Sequence, residues 1–181
     1  MSKKNKKKIY ILLTRFNDTG AKMLSKITDF YYTHASIGIE GDCETFYSFV
    51  YKGFRIEKIE RYIKSGKAPI PCRLYELEVS ERVYNSVQRL IRSFINRKES
   101  MKYTRLGVAL CLLKIPYQRS RHFFCSQFVA DILKKSKAAK LEKASTLFLP
   151  RDFLDIPGIK LLFRGNLTGL RKRFSALPSA I

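Results

Sequence analysis

Residues 34–50 constrain the fold most, because apolar and polar residues alternate there on both sides of a turn signal. With residues 41–43 as a three-residue loop, Ser36 lies opposite Ser48 and the two faces separate by polarity. The polar face carries His34, Ser36, Gly38 and Ser48, and the apolar face carries Ala35, Ile37, Ile39, Tyr47 and Phe49. A two-residue loop would place polar and apolar residues on the same face of the hairpin. The pattern therefore favours the longer loop, with the Ser48 hydroxyl diagonally beside His34 as an acceptor for an imidazole N–H.

The rest of the pattern predicts a single α+β domain, and a chain of 181 residues is long enough to bury its core. Strands are predicted at 8–15, 34–39, 45–50, 53–59, 72–79 and 159–163, and helices at 21–28, from Ser80 onward, at 104–113 and at 125–137. A small curved antiparallel sheet should therefore pack against helices over residues 9–165. We expect a basic tail at 1–8 and a basic, loosely held extension at 166–181.

Cys125 is the strongest candidate for a nucleophile, because it opens a predicted amphipathic helix. A thiol at a helix N-terminus faces the positive end of the helix dipole and free backbone N–H groups, which favour the thiolate. The same N–H groups can hold an oxyanion, and the adjoining Ser126 and Gln127 are candidate substrate-binding residues. The alternative for Cys125, a small buried hydrophobe, remains open. That is our expectation for the other cysteines, Cys43, Cys72 and Cys111.

A thiolate needs a base, and the chain has only two histidines, His34 and His122. His122 precedes Cys125 by three residues, which favours a surface or loop position over one across a cleft from the thiol. His34 opens a strand, and a rigid strand can fix a base. We therefore expect His34 to meet Cys125, with a structural histidine as the alternative. His122 and Cys125 alone make a weak zinc site, and no metal or organic cofactor is expected.

The net charge of +21 predicts an anionic partner. Five lysines lie within residues 3–8, a second group lies at 134–143, and no acidic residue follows Asp155. Nucleic acid, anionic lipid and acidic cell-wall polymer all suit such a surface, although no nucleic-acid motif accompanies the charge. The alternative is that the positive charge serves only to keep the protein soluble. Four unpatterned cysteines, no apolar run of 18 residues and no signal-peptide pattern favour a cytoplasmic protein.

Taken in order, these segments resemble the permuted branch of the NlpC/P60 papain-like superfamily, the YiiX/YycO-type proteins. In that branch the histidine strand precedes the nucleophile helix. The matching residues are Thr33–Ile39, Phe46–Phe49 with Gly53-Phe54, Tyr103, Phe124–Leu133 and Leu149–Phe153. The resemblance covers about residues 9–165 and implies a circularly permuted papain-like fold.

The resemblance also implies site residues and an activity. Cys125 would be the nucleophile, His34 the general base, and Tyr103 a tyrosine near the nucleophile, with a packing role as its alternative. Relatives often place a glutamate or histidine on the strand after the base, where this sequence has Ser48. The implied protein is a thiol hydrolase (a cysteine peptidase or amidase) or an acyltransferase, acting through an acyl-enzyme on an amide (peptide-like) or ester bond of a peptide-like, amide or lipid substrate. The alternative is a non-catalytic basic module that binds anionic polymer or membrane surface.

Overall fold

A six-stranded antiparallel sheet forms the centre of the computed structural model, which describes residues 6–16, 19–64 and 69–175. The strands are β1 (Lys6–Thr14), β2 (His34–Ile39), β3 (Asp42–Val50), β4 (Gly53–Lys58), β5 (Pro71–Ser80), β6 (Lys102–Tyr103), β7 (His122–Phe123) and β8 (Lys160–Asn166). The main sheet has the order β4-β3-β2-β1-β5-β8, and β6 and β7 form a separate parallel pair. The predicted α+β class with an antiparallel sheet is confirmed.

Helices cover both faces of this sheet. They are α1 (Thr19–Thr28), α2 (Ile59–Lys64), α3 (Glu81–Asn96), α4 (Arg105–Leu112), α5 (Cys125–Ser136) and α6 (Leu167–Ser175), with 3-10 helices at Lys98–Ser100, Ser145–Leu147 and Pro150–Asp155. The Ser80 hydroxyl caps α3 by accepting the Val83 N–H at 3.4 Å, as its position predicts. Within the described ranges, no helix is long and apolar enough to cross a bilayer.

One face of the sheet forms the larger core with α3 and α5. From α3 this core receives Val87, Ile91 and Phe94, and from α5 it receives Phe128, Val129, Ile132 and Leu133. Removing each of these side chains from water contributes about 1.5–3 kcal/mol, so several together hold a helix firmly. As a result, the first residue of α5 has a fixed position relative to the sheet.

The opposite face forms a second core with α2 and α6. Tyr10, Leu12 and Leu74 of the sheet pack there with Ile59 from α2 and with Leu167 and Leu170 from α6. The prediction of a loosely held extension from residue 166 is therefore wrong for residues 167–175. The three-residue spacing of Leu167 and Leu170 places both on one side of the helix, and their burial outweighs the basic character of the segment.

The expected basic tail is shorter than predicted, because β1 begins at Lys6. Lys6 and Lys8 extend the sheet, and their ammonium groups lie 3.0 Å from Glu78 and 3.1 Å from Glu76 on β5. These carboxylates offset the local positive charge along the strand pair. Residues 1–5 lie outside the described part of the chain.

The β2–β3 hairpin keeps the predicted register in its body and changes it at its tip. Ile37 lies opposite Tyr47, as the alternation predicts, whereas Ile39 lies opposite Asp42 with a bulge between the two pairs. The predicted three-residue loop is therefore wrong, because Glu40 and Gly41 alone make the turn. The bulge absorbs the difference, and Gly41 adopts the φ of +94° that the tight turn requires.

Candidate active site

Cys125 and His34 meet where the start of α5 reaches the start of β2. The His34 imidazole hydrogen-bonds the Cys125 sulfur, although 91 positions separate the two residues in the chain. The backbone N–H groups of Ala35 and Ser126 also donate to this sulfur. Cys125 and His34 are each 7% exposed, so the pair retains only a small surface through which a reagent could reach it. Three donors around one sulfur favour its anionic form.

Glu57 completes the site on the other side of the imidazole. The Nε2 atom of His34 lies 3.0 Å and 3.2 Å from the two carboxylate oxygens of Glu57. Because Glu57 accepts the Nε2 proton, Nδ1 is the nitrogen left to face the thiol. The Tyr62 hydroxyl also donates to the carboxylate, at 3.0 Å, and the neighbouring Ser36 hydroxyl helps to lower the pKa of Glu57. Glu57 is 4% exposed, so these donors replace the water that a buried carboxylate loses.

The electrostatics of the three residues reinforce one another. Burial by itself lowers the pKa of His34, but the negative charge of Glu57 and the bonds to Cys125 and Glu57 raise it to about 10. Burial by itself raises the pKa of Cys125, but the hydrogen bond from His34 and its positive charge outweigh burial and lower it. Burial likewise opposes the ionisation of Glu57, yet its pKa falls because His34 is charged. The arrangement therefore favours a thiolate, an imidazolium and a carboxylate at neutral pH.

The other described cysteines have no such support. Burial raises the pKa of Cys72 to about 12 and that of Cys111 to about 11. Both are buried, as the sequence predicts, and the side chain of Cys43 lies outside the described part of the structure. Position alone therefore makes Cys125 chemically different from Cys72 and Cys111.

Ser48 does not hold the position that its place in the hairpin predicts. Its hydroxyl donates to the carbonyl oxygen of Ala35 at 2.6 Å, while Glu57 bonds the imidazole. Glu57 lies one strand further on, in β4, where the alternation of Arg55, Glu57 and their apolar neighbours predicts a solvated face. Tyr62 from α2 covers this face and buries Glu57, whereas Arg55 stays exposed. The feature of the sequence that could have indicated Glu57 is an acidic residue on a strand that is followed directly by a helix, α2.

Ser126 and Gln127 use their side chains to hold the start of α5. The Ser126 hydroxyl donates to the Phe148 carbonyl at 2.7 Å, and the side-chain oxygen of Gln127 accepts the backbone N–H of Phe124 at 3.4 Å. The Gln127 amide also donates to Gln118 at 2.7 Å. Both side chains are buried and bound to the protein itself, which fixes the backbone that carries Cys125. A direct contact of either side chain with substrate stays a prediction.

Tyr103 and His122 lie in the paired strands β6 and β7. Tyr103 is half-buried and pairs with Phe123, two positions before Cys125, so it lies close to the nucleophile segment. Its role in substrate binding stays a prediction. His122 lies in β7 and not in a loop, and its Nδ1 atom donates to the Ser120 carbonyl at 2.7 Å.

Phe16 packs against the His34 imidazole. Its ring meets His34 edge-on at a centroid distance of 5.2 Å and lies 5.6 Å from the Tyr62 ring. These contacts limit the rotation of the imidazole and shield its bond to Glu57 from water. A shielded bond is electrostatically stronger than an exposed one.

The sequence matches no protein-family model, and no curated protein is significantly similar to it.

Proposed function

We propose that the protein is a thiol hydrolase or acyltransferase that cleaves an amide (peptide-like) or ester bond through an acyl-enzyme on Cys125. The observation that carries the proposal is the hydrogen-bonded series Cys125–His34–Glu57 at the N-terminus of α5. A nucleophile, a base and a residue that orients the base make up the minimal apparatus of covalent acyl transfer. None of these steps requires a metal or an organic cofactor.

In the first half-reaction the Cys125 thiolate attacks the carbonyl carbon, and a carbon–sulfur bond forms as the carbonyl electrons move to oxygen. Backbone N–H groups in the first turn of α5, which have no acceptor within the helix, would hold that oxyanion. When the tetrahedral species collapses, the bond to the leaving nitrogen or oxygen breaks. The His34 imidazolium gives its proton to the leaving group, and a thioester on Cys125 remains.

In the second half-reaction neutral His34 takes a proton from water or another acceptor, which attacks the thioester carbon. Collapse of the second tetrahedral species breaks the carbon–sulfur bond and returns the thiolate, while His34 is again an imidazolium. Glu57 stabilises the imidazolium in this resting pair and keeps the Nε2 proton directed toward itself.

We also propose that the chain belongs to the permuted NlpC/P60 papain-like superfamily. A histidine strand that precedes a nucleophile helix packed on an antiparallel sheet supports this assignment. Glu57 gives the base an acidic partner, although it lies one strand further on than the strand where relatives often have a glutamate or histidine.

Intact-mass analysis after incubation with activated esters and amides tests this function. We expect an acyl adduct that maps to Cys125, disappears in Cys125→Ala and His34→Ala, and persists in the matched variant His122→Ala. Adducts that are distributed equally over Cys72, Cys111 and Cys125, or no adduct at all, would contradict the proposal. The absence of any adduct would favour a non-catalytic binding module with a buried, inert Cys125.

A further inference from the structure

Helix α4 presents an apolar face to solvent. Leu106 in the first turn is 55% exposed, the C-cap residue Leu113 is 68% exposed, and Ile115, two residues further on, is 49% exposed. Leu106 and Leu113 are seven residues apart, which is two helical turns, so they lie on the same side of the helix axis. Large apolar side chains grouped in this way on a surface usually mark a binding site.

The other side of α4 fixes this orientation. Gly107 and Cys111 are buried, and a Cβ atom added at Gly107 would lie 3.4 Å from the Phe124 ring. Thr104 caps the helix by accepting the Gly107 N–H at 2.9 Å. The helix thus packs on the segment that leads into Cys125, which leaves Leu106 and Leu113 on its solvent side.

Basic residues flank the apolar face along the chain. Residues 100–130 contain no Asp or Glu but five basic residues, namely Lys102, Arg105, Lys114, Arg119 and Arg121, all of them exposed. The Arg105 guanidinium lies 5.6 Å above the exposed ring of Tyr51, in the β3–β4 turn. Aromatic and basic groups around an apolar centre are the combination that anchors a protein in the head-group region of a bilayer.

We propose that this surface, defined by Tyr51, Arg105, Leu106, Leu113, Lys114 and Ile115, docks the protein onto a bilayer that contains anionic lipid. The basic residues meet the head groups, and the leucines and isoleucine enter the acyl boundary. A nucleic acid or an acidic polymer would attract the charges equally but would give the apolar side chains no hydrocarbon to enter. The exposed apolar side chains therefore favour a lipid bilayer over a nucleic acid or an acidic polymer as the partner. Docking does not depend on thiol chemistry.

Flotation with phosphatidylcholine vesicles, with and without phosphatidylserine, tests the proposal on the full chain. The parent and Cys125→Ala are expected to bind equally well, and only to the vesicles that contain phosphatidylserine. The double variant Leu106→Ser/Leu113→Ser should bind roughly tenfold more weakly or worse, because two apolar side chains no longer leave water. Arg105→Gln/Lys114→Gln should lose roughly tenfold, because each basic residue near an anionic surface contributes several-fold.

Two matched controls separate this surface from a general effect of charge or apolarity. Leu161→Ser removes a leucine that is 52% exposed on β8, and Arg89→Gln/Arg92→Gln removes two exposed charges from α3. Both should bind like the parent. The proposal is overturned if the leucine double variant, with the parent's thermal unfolding midpoint, still binds fully. It is overturned equally if the α3 variant loses as much affinity as Arg105→Gln/Lys114→Gln.

Discussion

Both carboxylate oxygens of Glu57 lie within hydrogen-bond distance of the Nε2 atom of His34, at 3.0 Å and 3.2 Å, in a site where neither side chain exceeds a tenth of full exposure. A buried carboxylate in this position stabilises imidazolium over imidazole, and the imidazolium in turn stabilises the Cys125 thiolate. The negative charge of Glu57 therefore favours the Cys125 thiolate by way of the His34 imidazolium that lies between them.

Replacing Glu57 by Gln should raise the pKa of Cys125 and lower that of His34, because the ion pair is lost while the side chain keeps its shape. We expect slower alkylation of Cys125 by iodoacetamide at neutral pH, measured by peptide mass spectrometry. Glu60→Gln, which removes an exposed partner of Lys64, is the matched control and should alkylate like the parent. Equal rates in all three proteins would contradict the role assigned to Glu57.

The reaction of Cys125 should have a broad pH plateau. Because the pKa of Cys125 is lowered, its thiolate is present below the usual value of about 8.5. Because the pKa of His34 is raised to about 10, the imidazolium that protonates the leaving group persists until the pH approaches that value. The pH profile of kcat/KM for an activated amide should therefore fall on its alkaline side near pH 10. A rate that rises with the titration of an ordinary thiol would be inconsistent with this pair.

Ser48→Ala should affect stability and leave the pH profile unchanged. The hydroxyl satisfies the buried carbonyl of Ala35 at 2.6 Å, and its loss should lower the free energy of unfolding by about 1 kcal/mol. Urea unfolding measures this cost. The pH profile of Cys125 alkylation is the second readout. A shift of that profile comparable to the one in Glu57→Gln would return Ser48 to the catalytic role that the hairpin pattern suggests.

Leu170→Ala tests whether α6 belongs to the fold. The Leu170 side chain is fully buried in the second core, so its truncation should lower the free energy of unfolding by about 2–5 kcal/mol. Leu161→Ala, an exposed leucine on the preceding strand, should change it by less than about 0.5 kcal/mol. If both variants unfold at the same urea concentration as the parent, the helix contributes nothing to the core.

The local sequence pattern was sufficient to predict the helix that begins at Cys125 and the strand that begins at His34. The periodicity after Cys125 depends only on residues within a few turns, and the alternation after His34 is fixed by which face of the strand is apolar. The predicted register at Ile37 and Tyr47 is confirmed for the same reason. The bulge at the hairpin tip is a local backbone adjustment that does not alter these faces.

The partner of the imidazole could not be predicted in this way, because it depends on tertiary contacts. Glu57 has the sequence surroundings of a solvated strand residue, and only the packing of Tyr62 and Phe16 over the same face buries it. Ser48 is close to His34 in the pattern, but the nearer Ala35 carbonyl takes its hydroxyl. The burial of Leu170 similarly depends on a core formed with residues roughly 100 to 160 positions earlier, such as Leu74 and Tyr10.

The ultraviolet absorbance of thiolate, followed as a difference between the parent and Cys125→Ser during a pH titration, tests the central claim most directly. We predict that one thiolate is already present at neutral pH in the parent and is absent from His34→Ala. A difference signal that develops only at the alkaline pH expected for the buried thiols Cys72 and Cys111 would contradict the account.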